Sequence, residues 1–72
     1  MDQEEWRILD INHDKNMVVL VSNKSPTIKR YGVPHNIEWA QVVGEHLRVY
    51  CQTFVAWEIK IADGARRKLR QP

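Results

Sequence analysis

The sequence predicts an all-β chain, folded as a single small antiparallel meander of about six strands. Apolar and β-branched residues alternate with polar ones over runs of strand length, and no longer window repeats them at helical spacing. Asn, Asp, Gly and Pro, which favour turns, stand between those runs. In the second half of the chain two hairpin registers, each fixed by its own turn, place the same residues on the same face.

Trp6 to Ile11 reads as the first strand, and Asn12-His13-Asp14-Lys15-Asn16 supplies side-chain oxygens that close a turn onto nearby backbone. Met17 to Ser22 follows, with Met17 to Val21 apolar throughout. Asn23-Lys24-Ser25-Pro26 turns the chain into a short strand from Thr27 to Tyr31. Gly32-Val33-Pro34-His35-Asn36 then breaks the ladder at the midpoint, because proline has no N–H to donate.

Ile37 to Val43, His46 to Cys51 and Val55 to Ile61 read as the next three strands. Gly44 suits the first position of a two-residue type II′ turn, where φ is positive. That turn sets Val42 opposite Leu47, Ala40 opposite Val49 and Trp39 opposite Tyr50. The loop Gln52-Thr53-Phe54 in turn sets Val49 opposite Trp57, Leu47 opposite Ile59 and Arg48 opposite Glu58. Both registers put Ala40, Val42, Leu47, Val49, Cys51, Val55, Trp57 and Ile59 on one face, and Gln41, His46, Arg48, Gln52, Glu58 and Lys60 on the other. Opposite charges at Arg48 and Glu58 suit directly facing positions. Asp63-Gly64 leads into a last short strand, Arg66 to Arg70, whose basic residues are expected to fray at the sheet edge.

At 72 residues the chain is one domain, spanning 1–72, with 65–72 as a basic tail. A core of this size supplies only about 3–5 kcal/mol, so a homo-oligomer is expected. A hydrophobic content of 43% beside 28% charged residues fits a folded chain rather than a disordered one. Cys51 is the single cysteine, which excludes an internal disulfide, and His13, His35 and His46 are too widely spaced for a metal motif. Asp10, Asn12, Asp14 and Asn16 alternate as calcium-loop ligands do. Lys15 replaces the required glycine and Val21 the bidentate glutamate, so no metal and no cofactor is expected. With no apolar leader and no run near ~18 apolar residues, the expected location is cytoplasmic and no membrane partner is expected.

An enzyme is not expected. The three glycines are isolated, which leaves no phosphate-cradling loop. Cys51 falls on the apolar face, where a thiol is a poor nucleophile. His46 beside Glu45 or Glu58 is an acid–base pairing that reads as ordinary surface.

The candidate site is instead the polar face of the second half, where Trp39 and Tyr50 stand among Gln41, His46, Arg48 and Lys60. Aromatics on such a face have two readings. Either residues 6–31 fold over them as a second core layer, or the pair forms a platform for a partner. Net charge is +2, yet residues 1–22 hold five acids against two bases, which concentrates positive charge downstream. Arg66, Arg67, Lys68 and Arg70 form a possible polyanion-binding tail.

Asn36-Ile37-Glu38-Trp39-Ala40, Gly44-Glu45-His46-Leu47-Arg48-Val49 and Val55-Ala56-Trp57-Glu58-Ile59, leading to Asp63-Gly64, resemble one blade of a WD-repeat β-propeller. Trp57-Glu58 is similar to the Trp-Asp dipeptide of that family. The resemblance covers residues 36–64. It implies propeller-like hairpins whose open edges need self-assembly, or a different closure such as a small barrel. The expected function is a small non-catalytic protein-interaction module, adaptor or self-assembling, with a nucleic-acid-binding module as the alternative.

Overall fold

The structure is a computed structural model that describes residues 3–24 and 27–69. Seven strands form two antiparallel sheets, each in chain order. The first contains β1 (Trp6–Asn12), β2 (Met17–Ser22) and β3 (Ile28–Gly32). The second contains β4 (Ile37–Val43), β5 (His46–Cys51), β6 (Ala56–Lys60) and β7 (Arg66–Leu69). The described residues contain no helix, and the sheets do not close into a barrel. Pro34, which has no N–H, lies in the β3–β4 link, and β4 starts a new sheet rather than extending the first.

Both hairpin registers read from the sequence are present. Val42 faces Leu47, Ala40 faces Val49, and Trp39 faces Tyr50. Leu47 faces Ile59, Arg48 faces Glu58, and Val49 faces Trp57. Gly44 has φ +59 while Glu45 does not join it in the left-handed region, as a type II′ turn requires.

Strand alternation then dictates the core. Val18 and Leu20 of β2 pack against Leu47, Val49 and Ile59 of the second sheet, with Val33, Ile37, Cys51 and Ile61 completing a single buried cluster. Trp6, Ile8, Tyr31, Ala40, Val42, Val55 and Trp57 close its margins. Burial pushes the Cys51 thiol above its ordinary pKa.

Polar clamps fix one sheet on the other. In the β1–β2 turn, the Asn12 side-chain oxygen accepts from the backbone N–H groups of Asp14 and Lys15, both at 3.0 Å. Asn16 adopts φ 52, a conformation that asparagine tolerates better than most residues. From there its Oδ1 accepts from Ile37 N at 3.3 Å, while His13 Nδ1 bonds Ile37 O at 3.0 Å. At the other end Lys29 Nζ and the Tyr31 hydroxyl both donate to the Ile61 carbonyl. Burial, reinforced by Asp63, raises the pKa of Tyr31.

Asn16→Ala removes the clamp on Ile37 and leaves a β-carbon in the left-handed region, so it is expected to cost about 2 kcal/mol. Asn16→Gly removes only the clamp and is expected to cost about 1 kcal/mol. Urea unfolding of both variants measures the difference.

Candidate functional site

The exposed aromatic pair owes its position to a β-bulge. In a regular strand Ile37 and Trp39 would share a face. The β4–β5 ladder instead steps from Ile37 opposite Cys51 to Trp39 opposite Tyr50, which leaves Glu38 as an extra residue. Ile37 therefore stays in the core at 1% exposure, and Trp39 turns outward at 46%. The first sheet packs on the opposite face of the second, so residues 6–31 do not cover the pair.

Three cross-strand rows organise this outer face. Trp39, Tyr50, Ala56 and Leu69 form the first. The Trp39 and Tyr50 rings stack with centroids 4.2 Å apart and planes 11° from parallel. The second row runs Gln41, Arg48, Glu58, Arg67. Gln41 Nε2 donates to the Tyr50 hydroxyl at 3.3 Å, tying the rows together. Arg48 Nε donates to Glu58 Oε2 at 3.1 Å, and Arg67 donates to Oε1 from Nε at 3.1 Å and from Nη2 at 2.9 Å. Val43, His46 and Lys60 form the third row. All six residues of the expected face, Trp39, Tyr50, Gln41, His46, Arg48 and Lys60, thus share one surface.

Hydrogen bonds from Arg67 and then Arg48 hold the Glu58 carboxyl below its ordinary pKa, and the bond to Glu58 raises that of Arg48. With both oxygens engaged, Glu58 fixes two guanidinium groups beside the aromatic row.

The basic tail divides between faces. Arg66 pairs with Ile59 and Lys68 with Trp57, whereas Arg67 pairs with Glu58 on the outer face. Arg66 donates to Gly32 O at 2.8 Å and lies 5.7 Å from the Trp57 ring centroid, so it closes the margin of the core. Arg70 lies outside the described residues. Among the described residues no group of three His, Cys, Asp or Glu is placed to hold a metal ion.

One exposed aromatic, in the loop beyond the Trp39/Tyr50 row, was missed by the sequence reading. Phe54, in the β5–β6 loop, is 84% exposed and has φ 58. The last position of a three-residue hairpin loop commonly takes the left-handed conformation and favours glycine there. Phenylalanine at that position was the available signal. The loop follows the Trp39/Tyr50 row, so three aromatics gather at one end of the sheet. An open cleft of about 820 Å³ lined by Glu4, Glu5, Trp6, Lys29 and Glu45 lies elsewhere. Lys29 already occupies the Trp6 ring there, 5.4 Å from its centroid.

Comparison with known proteins finds no matching family model, no similar curated protein and no similar solved structure.

Phe54→Gly is expected to stabilise the fold by about 1 kcal/mol by relieving the left-handed backbone. If Phe54 serves binding, the same change weakens it, and thermal unfolding beside a binding assay separates the two effects. Glu58, with its folded pKa lowered, contributes stability that is present above the ordinary carboxylate range and lost as pH falls through the folded value. Urea midpoints measured from neutral to acid pH should therefore fall less steeply for Glu58→Gln than for the unchanged protein.

Proposed function

We propose that the chain is a small non-catalytic protein-interaction module whose partner docks on the outer face of β4–β7. The observation that carries this reading is Trp39, half exposed and stacked on Tyr50, on the same face as Arg48 and Arg67, which are both bound to Glu58. Trp, Tyr and Arg dominate binding energy at protein interfaces, where they present large area at low entropic cost. The stack and the ion pairs hold these side chains before any partner arrives, which lowers the cost of association. A sheet face also lacks the concavity that small-molecule sites use. The non-catalytic reading is supported by Glu58, whose carboxylate is spent on two arginines and is held away from the pKa of a neutral-pH base. The likeness of residues 36–64 to a WD-repeat blade is retained only as one of strand order: that span supplies three strands, β4 to β6, and the fourth strand of a four-stranded blade would be β7, beyond it.

A nucleic-acid reading is favoured by the exposed indole on the same sheet face as Arg48, Arg67 and Lys60. It ranks second because Glu58 sits at the centre of the face, cancels one of the two arginine charges and engages both guanidinium groups. Arg66 and Lys68 lie on the other side of the strand.

The test selects peptides from a random library on the immobilised protein and titrates the best of them by calorimetry. Trp39→Ala and Arg48→Ala are each expected to weaken binding by ~10-fold or more, since hot-spot truncations cost about 2 kcal/mol. Peptides that bind both variants as well as the unchanged protein would contradict the reading. A parallel titration with oligothymidylate should show weak binding that disappears near ~150 mM salt. Tight binding that survives such salt and needs both Trp39 and Arg48 would put nucleic acid first.

A further inference from the structure

The outer face of the first sheet belongs neither to the core nor to the aromatic surface. β2 is apolar on both sides: Val18 and Leu20 enter the core, while Val19, half-buried, and Val21, already covered to 8% exposure by its own chain, point the other way. A strand with one solvated face ordinarily alternates apolar with polar residues, and apolar residues on both sides mark a strand covered on both. Ile28 of the β3 edge is 45% exposed on this face, and Leu9, the extra residue of a bulge in β1 at the opposite edge, is 50% exposed.

The charges on this face are ordered. Pairing sets Asp10 of β1, Val19 of β2 and Arg30 of β3 in one cross-strand row, acid on one edge strand and base on the other. At about 4.8 Å per strand the backbones of Asp10 and Arg30 stand about 10 Å apart, with Val19 between them. Among the described residues neither makes an ion pair.

We propose that this face is covered by a second copy of the chain, packed face to face about a twofold axis parallel to β2. Rotation about that axis lays Val19 on its own counterpart and exchanges the edges, so β1 of each copy lies over β3 of the other. Asp10 then meets Arg30 twice, once on each side of the apolar strip. In the neighbouring row, which runs Arg7, Val21, Ile28, the aliphatic stem of Arg7 covers the exposed Ile28 of the other copy. Sheets packed face to face keep their strands within about 30°, which leaves these rows in reach of each other. The order acid, apolar, base is what selects a second copy, because it is self-complementary under a twofold. An acid on both edges would repel another copy and call for a basic partner. Three short strands offer less than the ~800 Å² per partner of a standard interface, so association is expected in the range of about 10–100 µM. The outer face of the second sheet stays free in this dimer, which makes the inference independent of the proposed function.

Sedimentation equilibrium of the whole chain from about 10 to about 500 µM is the test, with circular dichroism confirming that each variant is folded. Asp10→Arg and Arg30→Asp should each weaken the dimer by ~10-fold or more, since each sets two like-charge pairs, and the double variant should return to within ~3-fold of the unchanged protein. A monomer at about 500 µM, a dimer indifferent to either reversal, or a double variant that fails to recover would each overturn the proposal. Isotope-filtered NOEs in a mixture of labelled and unlabelled protein need no variant. Contacts between the Val19 methyls of two copies support the proposal, and intermolecular contacts confined to Trp39 or Phe54 overturn it.

Discussion

Two β-bulges decide what this small protein presents to its surroundings. Each sheet begins with a strand that must supply the core on both sides of one extra residue. In β4 that residue is Glu38, with Ile37 before it and Ala40 after it facing inward. In β1 it is Leu9, between Ile8 and Ile11. Strict alternation would carry Trp39 inward behind Ile37 and Asp10 inward behind Ile8. The bulges shift the phase by one residue, so the apolar positions stay buried while Trp39 and Asp10 turn to opposite outer surfaces. β1 and β4 are edge strands that lie against each other, and bulges are common at sheet edges.

The two faces released in this way are held by a thin core. Its stability rests on one layer of Val, Leu and Ile between the sheets, supplemented by polar clamps on the backbone of Ile37 and Ile61. Backbone groups where one sheet meets the other would otherwise be orphaned, and a side chain from the facing sheet satisfies each. The arrangement has one visible cost, since the indole N–H of Trp57 is buried without a partner among the described residues. On the outer face stability and binding are joined in Glu58. The carboxylate that ties β5 to β7 through Arg48 and Arg67 is also what fixes those arginines beside the aromatic pair. Phe54 shows the opposite balance, an exposed aromatic held in a conformation better suited to glycine.

Much of the second sheet is legible in the sequence because its turns determine its register. Gly44 admits one type of tight turn, and once Val43 meets His46 every later pair follows by twos. The facing of Arg48 by Glu58 and the placing of Trp39 and Tyr50 on the face opposite Leu47, Val49 and Ile59 come from that count alone. Three things do not. A bulge needs no particular residue, so neither Leu9 nor Glu38 announces itself, and the burial of Ile37 cannot be counted from the turn. The choice of which face the first sheet covers depends on contacts between residues distant in sequence, such as Val18 and Leu20 against Leu47 and Ile59. Strand pairing also splits the run Arg66-Arg67-Lys68 between two faces, although composition alone reads it as one basic patch.

The phase shift at Glu38 is read out by the NOE pattern of the Trp39 indole. With Trp39 turned outward, that ring contacts the Tyr50 ring and none of the methyls of Leu20, Leu47 or Ile59, and the Ile37 methyls contact the core instead. Trp39 contacts to those core methyls, with Ile37 turned to solvent, would contradict the shift.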